Sequence, residues 1–221
     1  STYPPPREAY PKWPDVEVEA LPPVYAKALG MRQSLVREIE RYIERGWASS
    51  QQDFAKRAGI GETVLRRWLS GERWPAVHTV AAAEAVLETS LWPHQVRESR
   101  TFGRKAAIPT PSSVFDVPGA TVKAGKTEAS SPASLYPGWP DSLNMTALEH
   151  AMIQAMVINL RRERNRYRSV KGVAEQSGVA ASTISDILNG NTWPSLETMA
   201  RLEVGLGVRL WPGVKTAEQD T

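Results

Sequence analysis

Five arginines fall within eight residues, Arg161, Arg162, Arg164, Arg166 and Arg168, and a second basic pair, Arg66-Arg67, stands earlier in the chain. Guanidinium groups are planar, permanently charged donors that match phosphate oxygens or a paired set of acceptors, and they also make ordinary solvated faces. Other chemistry has little to work with. The chain has no cysteine, which removes disulfides, thiolate catalysis and thiolate zinc sites together. His78, His94 and His150 are isolated, with no second ligand at metal spacing. Neither a nucleophile-base pair nor a phosphate-binding Gly-rich loop is present. The expectation is a protein without catalysis, cofactor or metal.

The elements that must position the basic groups are written twice. Ala55, Gly59, Leu65, Gly71, Trp74-Pro75 and Leu91-Trp92-Pro93 recur 119 residues later as Ala174, Gly178, Ile184, Gly190, Trp193-Pro194 and Leu210-Trp211-Pro212. A second match, Tyr10-Pro11-Lys12-Trp13-Pro14-Asp15 with Tyr136-Pro137-Gly138-Trp139-Pro140-Asp141, lies at an offset of 126, so copy one carries seven extra residues ahead of the shared core. A long period seen only twice is a domain duplication, not a solenoid. The 221 residues divide into two units of about 80 residues, each large enough for one modest core. The repeated tryptophans read as core and lid of small domains.

Apolar spacing places the helices. Tyr25, Ala28, Leu29, Leu35, Ile39, Tyr42 and Ile43 mark one face of a helix that Gly46 ends. Ser50-Gln51-Gln52-Asp53 has capping-box spacing and opens a short helix to Ala58. After Gly59, a third helix runs over 62–69 and a fourth over 76–88, burying Val80, Ala83 and Leu87. In copy two, Thr146 and Glu149 have capping-box spacing ahead of Leu148, Met152, Met156 and Leu160, and further helices follow over 170–177, 181–188 and 196–206. The expected layout is an extended Pro-rich arm over 1–22, a first domain over 23–93, a linker over 94–135, a second domain over 136–214 and a tail over 215–221. Val114-Phe115 and Val117 are candidates for local docking of the linker.

The stretch from Val173 to Gly190, with Ala174, Gly178 and Ile184 in their places, resembles the helix-turn-helix of the Cro and lambda-repressor (XRE-like) family. The alanine must be small because the recognition helix crosses over it closely, the glycine supplies the turn, and the aliphatic residue packs the third helix on the second. Copy one meets the same demands with Ala55, Gly59 and Leu65. The resemblance implies an all-α fold of two tandem four-to-five-helix domains joined by a flexible Pro-rich linker.

It also implies that the third helix of each copy lies in the major groove of double-stranded DNA. Carried onto this sequence, the base-reading positions are Glu62, Thr63, Arg66 and Arg67 in copy one, beside Gly61. In copy two they are Ala181, Ser182, Ser185 and Asp186, beside Ala180. Arginine forks suit guanine O6 and N7, and Glu62 suits cytosine N4. Alanine meets a thymine methyl, and Asp186 faces cytosine. Phosphate anchors implied by the family are Ser50, Gln51, Ser70 and Arg73 in copy one, and Arg164, Arg166, Arg168, Ser169, Lys171, Asn189 and Thr192 in copy two. Val170 stands where the family's helix-opening glutamine would be, which removes one anchor.

Two unlike recognition helices on one chain imply a monomer on a non-palindromic site, with a dimer left open. A strap of about 40 residues has a root-mean-square reach of roughly 35 Å, near one turn of DNA. The resemblance adds the role of a transcriptional repressor of the phage-immunity or mobile-element kind. The alternative reading is an antitoxin-like interaction module whose arm or linker wraps a partner protein. The net charge of +3 is compatible with nucleic acid. No apolar run approaches a membrane span and no signal-peptide pattern opens the chain, so a cytoplasmic, nucleoid-associated protein without membrane contact is expected. Ser1 in place of a methionine suggests a trimmed or engineered start.

Overall fold

The computed structural model describes residues 3–93 and 130–213, which fall into two compact units, the first reaching Pro93 and the second Pro212. The described residues form helices and turns with no strand. Residues 94–129 of the proposed linker over 94–135, with His94, Val114-Phe115 and Val117, and the tail over 215–221 lie outside the described residues.

The first unit holds α1 (Pro6–Ala9), a 3-10 turn (Val18–Ala20), α2 (Pro23–Glu44), α3 (Gln51–Arg57), α4 (Glu62–Ser70) and α5 (Val77–Leu87). The second holds α6 (Pro132–Leu135), α7 (Leu148–Arg166), α8 (Val170–Ser177), α9 (Ala181–Asn189) and α10 (Leu196–Leu206). Pro23 at the first helical position starts α2, where its missing N–H costs nothing. Tyr25, Ala28, Leu29, Leu35 and Ile39 are buried along one face, each large aliphatic contributing about 1.5–3 kcal/mol over its exposed state. Ile43, expected on that face, is 39% exposed, because the helix there is running out past the core. In α7 the matching face is Met152, Met156 and Leu160, all fully buried.

Helix α3 is capped by Ser50, whose Oγ accepts from the Asp53 N–H at 3.1 Å. The Asp53 carboxylate reaches back to the Ser49 N–H at 2.9 Å, so the box closes one residue earlier than its spacing predicts. The Ser49 N–H, followed by Arg57, holds that carboxyl below its ordinary range. The second predicted box does not form. Thr146 lies against the Tyr136 hydroxyl, Glu149 is buried, and Ala147 opens α7 without a side-chain cap.

The proposed extended arm over 1–22 is a folded lid from residue 3 onward. Pro6 opens α1, Trp13 is buried, and the Arg7 N–H donates to the Gly71 carbonyl at 3.0 Å. Trp74 Nε1 donates to the Tyr3 and Pro4 carbonyls, and the Tyr25 hydroxyl donates to Pro4. Buried aromatic area outweighs the extended tendency of a proline-rich segment. Residues 130–135, assigned from sequence to the linker, make the same lid for the second unit. There the Ala133 N–H donates to Gly190 at 2.9 Å and Trp193 Nε1 donates to Ser130 at 2.9 Å. The Trp13–Pro14 and Trp139–Pro140 bonds are both cis. The lids sit where the second sequence match lies, so the duplicated unit includes them.

Copy one's seven extra residues are now placed. One precedes α2, three lengthen α2 to 22 residues against 19 in α7, and three lengthen the connection from the first long helix to the next.

Each unit closes on a buried glutamate. Leu91 and Trp92 donate their backbone N–H groups to Glu84 Oε1 at 2.8 and 2.9 Å, and Leu210 and Trp211 donate to Glu203 Oε1, both at 2.9 Å. This fixes the Leu-Trp-Pro segment, whose tryptophans are 1% and 0% exposed, against α5 in the first unit and α10 in the second.

Candidate nucleic-acid interface

Each unit sets a short helix, a glycine turn and a second short helix in sequence. Gly59 and Gly178 take the left-handed conformation, φ +65° and +68°, which a side chain disfavours. Leu65 and Ile184 are buried at 1% and 0% and pin α4 and α9 to the helices before them. In copy two, Arg201 of α10 donates to the Gly178 carbonyl and Gln176 donates to Gly205 at 3.1 Å, so α10 also holds the turn.

The far ends of α4 and α9 are locked in the same manner. Gly71 and Gly190 cap them in the left-handed conformation, and a Cβ on either would sit 2.4 or 2.6 Å from Cδ1 of Trp13 or Trp139. The lid tryptophan thus rests on the glycine that ends each exposed helix. Trp74 stacks on Tyr25 at 5.6 Å, and Trp193 lies over His150 at 4.5 Å, which places both exit-loop tryptophans in the packing of their lids.

On α4 the residues Glu62, Thr63, Arg66 and Arg67 are all exposed. Gln52 of α3 donates to Glu62 Oε2 at 2.9 Å across the turn. Arg66 lies 3.7 Å from Glu72, which stands equally far from Arg7 of the lid. The lid therefore brings a third arginine beside the exposed helix. On α9, Ala181 and Ser182 are exposed, while Ser185 and Asp186 are half-buried. Asp186 accepts from the Asn191 side chain at 3.0 Å, so its carboxylate turns toward the exit loop and away from a free outward position. Copy one presents a charged face and copy two a nearly neutral one.

The proposed anchors around these helices lie at the surface. Gln51 and Arg73 are exposed, and so is Ser50, the cap of α3. Ser70 is half-buried between the Arg67 carbonyl and the Glu72 N–H. Ser169 caps α8, accepting from the Gly172 N–H at 3.0 Å, and Lys171 pairs loosely with Glu175. Asn189 and Thr192 are exposed at the end of α9. Arg164, Arg166 and Arg168 are exposed near the α7–α8 turn, where Arg168 takes φ +60°. Arg161 of the same run has another task, binding both Asp141 oxygens at 2.7 and 2.6 Å. That fork holds the Asp141 carboxyl below its ordinary range. Gln52, Arg7 and Glu72 were not singled out from sequence. Gln52 has no polar-uncharged counterpart in copy two, and Arg7 sits in a segment read as an arm.

Two short helices at a glycine turn, packed through their apolar faces, with the second presenting a solvated reading face, define a helix-turn-helix DNA-binding unit. The family model described as helix-turn-helix matches residues 49–91 and 158–210, spanning the turn in both copies. The two copies are helix-turn-helix domains of the XRE-like family, and the chain is a DNA-binding protein of the class that regulates transcription. No curated protein and no solved structure matches the chain significantly. Among the described residues no group of side chains has the makings of a metal site, and no helix is long and apolar enough to cross a membrane.

Proposed function

We propose that the protein is a sequence-specific transcriptional repressor in which two unlike helix-turn-helix domains of one chain read an asymmetric double-stranded site. One observation carries this reading. The two domains share turn, cap and lid, yet their exposed helices differ in chemistry, with Glu62, Thr63, Arg66 and Arg67 on one and Ala181, Ser182, Ser185 and Asp186 on the other. Identical readers would favour a palindrome, and unlike readers on one chain favour two different half-sites. Covalent linkage makes the second contact intramolecular, so two modest domains yield a useful affinity. The chain acts as a monomer on DNA, in the cytoplasm with the nucleoid.

Base reading falls to α4 and α9, and phosphate anchoring to Ser50, Gln51, Ser70 and Arg73 in copy one. In copy two the anchors are Arg164, Arg166, Arg168, Ser169, Lys171, Asn189 and Thr192. Docking of residues 3–22 on their own domain weighs against the antitoxin-like alternative in its arm-wrapping form. Selection of bound sequences from a random duplex library tests the proposal, followed by sedimentation with the selected duplex. A long asymmetric consensus bound by one chain is the expected result. A palindrome bound two-to-one would overturn it.

A further inference from the structure

The connection between α2 and α3 carries an aromatic residue that the helix-turn-helix core does not use. Trp47 is 45% exposed, although its backbone is fixed by donation to the Tyr42 carbonyl at 2.9 Å. Its ring meets Tyr42 edge-on at 5.2 Å, and Tyr42 in turn meets the fully buried Phe54 of α3 at 5.4 Å. The ring is therefore a rigid platform rooted in the core. Two guanidinium groups lie over it, Arg45 at 5.1 Å and Arg41 at 6.0 Å from the ring centre. Arg41 is also held by Glu38 at 2.6 Å.

This platform adjoins Ser49, Ser50 and Gln51, the start of α3 and the edge of the proposed phosphate surface. It uses the three connection residues that copy one has in excess. The corresponding junction of copy two has no tryptophan and is more basic, with Arg164, Arg166 and Arg168. Both copies thus place arginines at one point of the fold by different means. A guanidinium stacked on the tryptophan face keeps its N–H fork free for an outside acceptor, with little freedom left to lose.

Resting on the DNA-binding reading above, we infer that Trp47 is a positioning residue that holds Arg45, with Arg41 beside it, as a phosphate clamp on the DNA backbone flanking copy one's half-site. The clamp gives affinity without sequence information, because phosphates are alike at every site.

The test uses the full chain, its selected duplex and a random duplex, titrated across a salt series. Arg45→Ala is expected to weaken both duplexes equally and to flatten the plot of log affinity against log salt by about 0.9, one phosphate's share. Trp47→Ala is expected to weaken both by about two- to fivefold, with Trp47→Phe between it and the parent. An unchanged slope in Arg45→Ala, a surface change that leaves the core intact, would overturn the clamp while the parent's binding kept the functional proposal standing. Loss of self-association in Trp47→Ala with unchanged DNA affinity would overturn it too, making the patch a contact between copies. A parent chain that binds no duplex would overturn both readings together.

Discussion

The Gln52 side-chain amide donates to the Glu62 carboxylate at 2.9 Å, joining the two helices of the first turn motif through their exposed ends. The bond engages only Oε2 of the exposed Glu62 and restricts the rotamers that would otherwise blur its contact. Copy two has Lys171 and Ala181 at these places, and no such pair is possible. Glu62→Ala should therefore relax discrimination at one base pair of copy one's half-site by about 1–3 kcal/mol. Gln52→Ala should relax the same base pair to a lesser degree. Library selection with each variant reports the position, and relaxation at different positions would break the link.

Arg67 is exposed beside Arg66, which shares Glu72 with Arg7. Arg67→Ala should cost about 1–3 kcal/mol on the selected duplex and distinctly less on a random one. Glu72→Ala, by removing a carboxylate between two arginines, should tighten binding to both duplexes and steepen the salt dependence. Equal losses for Arg67→Ala on both duplexes would demote that residue to backbone contact.

Gly71 and Gly190 combine positive φ with a tryptophan ring where a Cβ would go. Gly71→Ala and Gly190→Ala should each destabilise the affected domain by about 1–3 kcal/mol from the backbone alone, with displacement of the lid adding to it. Thermal unfolding followed by tryptophan fluorescence reads this out. Gly46→Ala, equally positive in φ but with open space around it, supplies the backbone-only comparison.

Glu84 and Glu203 each accept two backbone N–H groups beneath a buried tryptophan. Replacement by alanine should orphan those donors at roughly 1–3 kcal/mol apiece, while glutamine, which keeps an acceptor, should lose much less. Denaturant midpoints of the four variants compare the two cases. Similar losses for alanine and glutamine would shift the explanation from hydrogen bonding to the carboxylate charge.

Asp141 is held below its ordinary range by the Arg161 fork. A carboxyl depressed in the folded state adds stability above its unfolded pKa, and that contribution is lost as pH falls through the folded value. Arg161→Ala should thus be less stable than the parent at neutral pH and converge with it in acid, below the normal carboxylate range. Unfolding midpoints across pH check this, and a gap constant at every pH would refute it.

The turn motifs were legible because their demands are local. Ala55, Gly59 and Leu65 answer steric requirements within a few residues, and the constant offset repeats them in Ala174, Gly178 and Ile184. The lids were not. Their proline-rich segments lack helical periodicity, and what folds them is reach across the chain, as when Trp74 and Trp193 find carbonyls 71 and 63 residues earlier. Asp186 shows the same limit inside the site. Register alone puts it on an outward position, but Asn191, in a loop whose path no pattern discloses, turns its carboxylate aside. The chemistry of α4 was visible as residue types, whereas the partnership of Gln52 with Glu62 depended on the crossing of two helices.

The lids also decide where a gene fragment may safely be cut. A clone trimmed to the borders of the family match would begin at residue 49 or 158 and discard the tryptophan that seats the end of each exposed helix. Expression of either half by itself must start near Tyr3 or Ser130, or the shortened product will have lost the buttress on which its reading face depends.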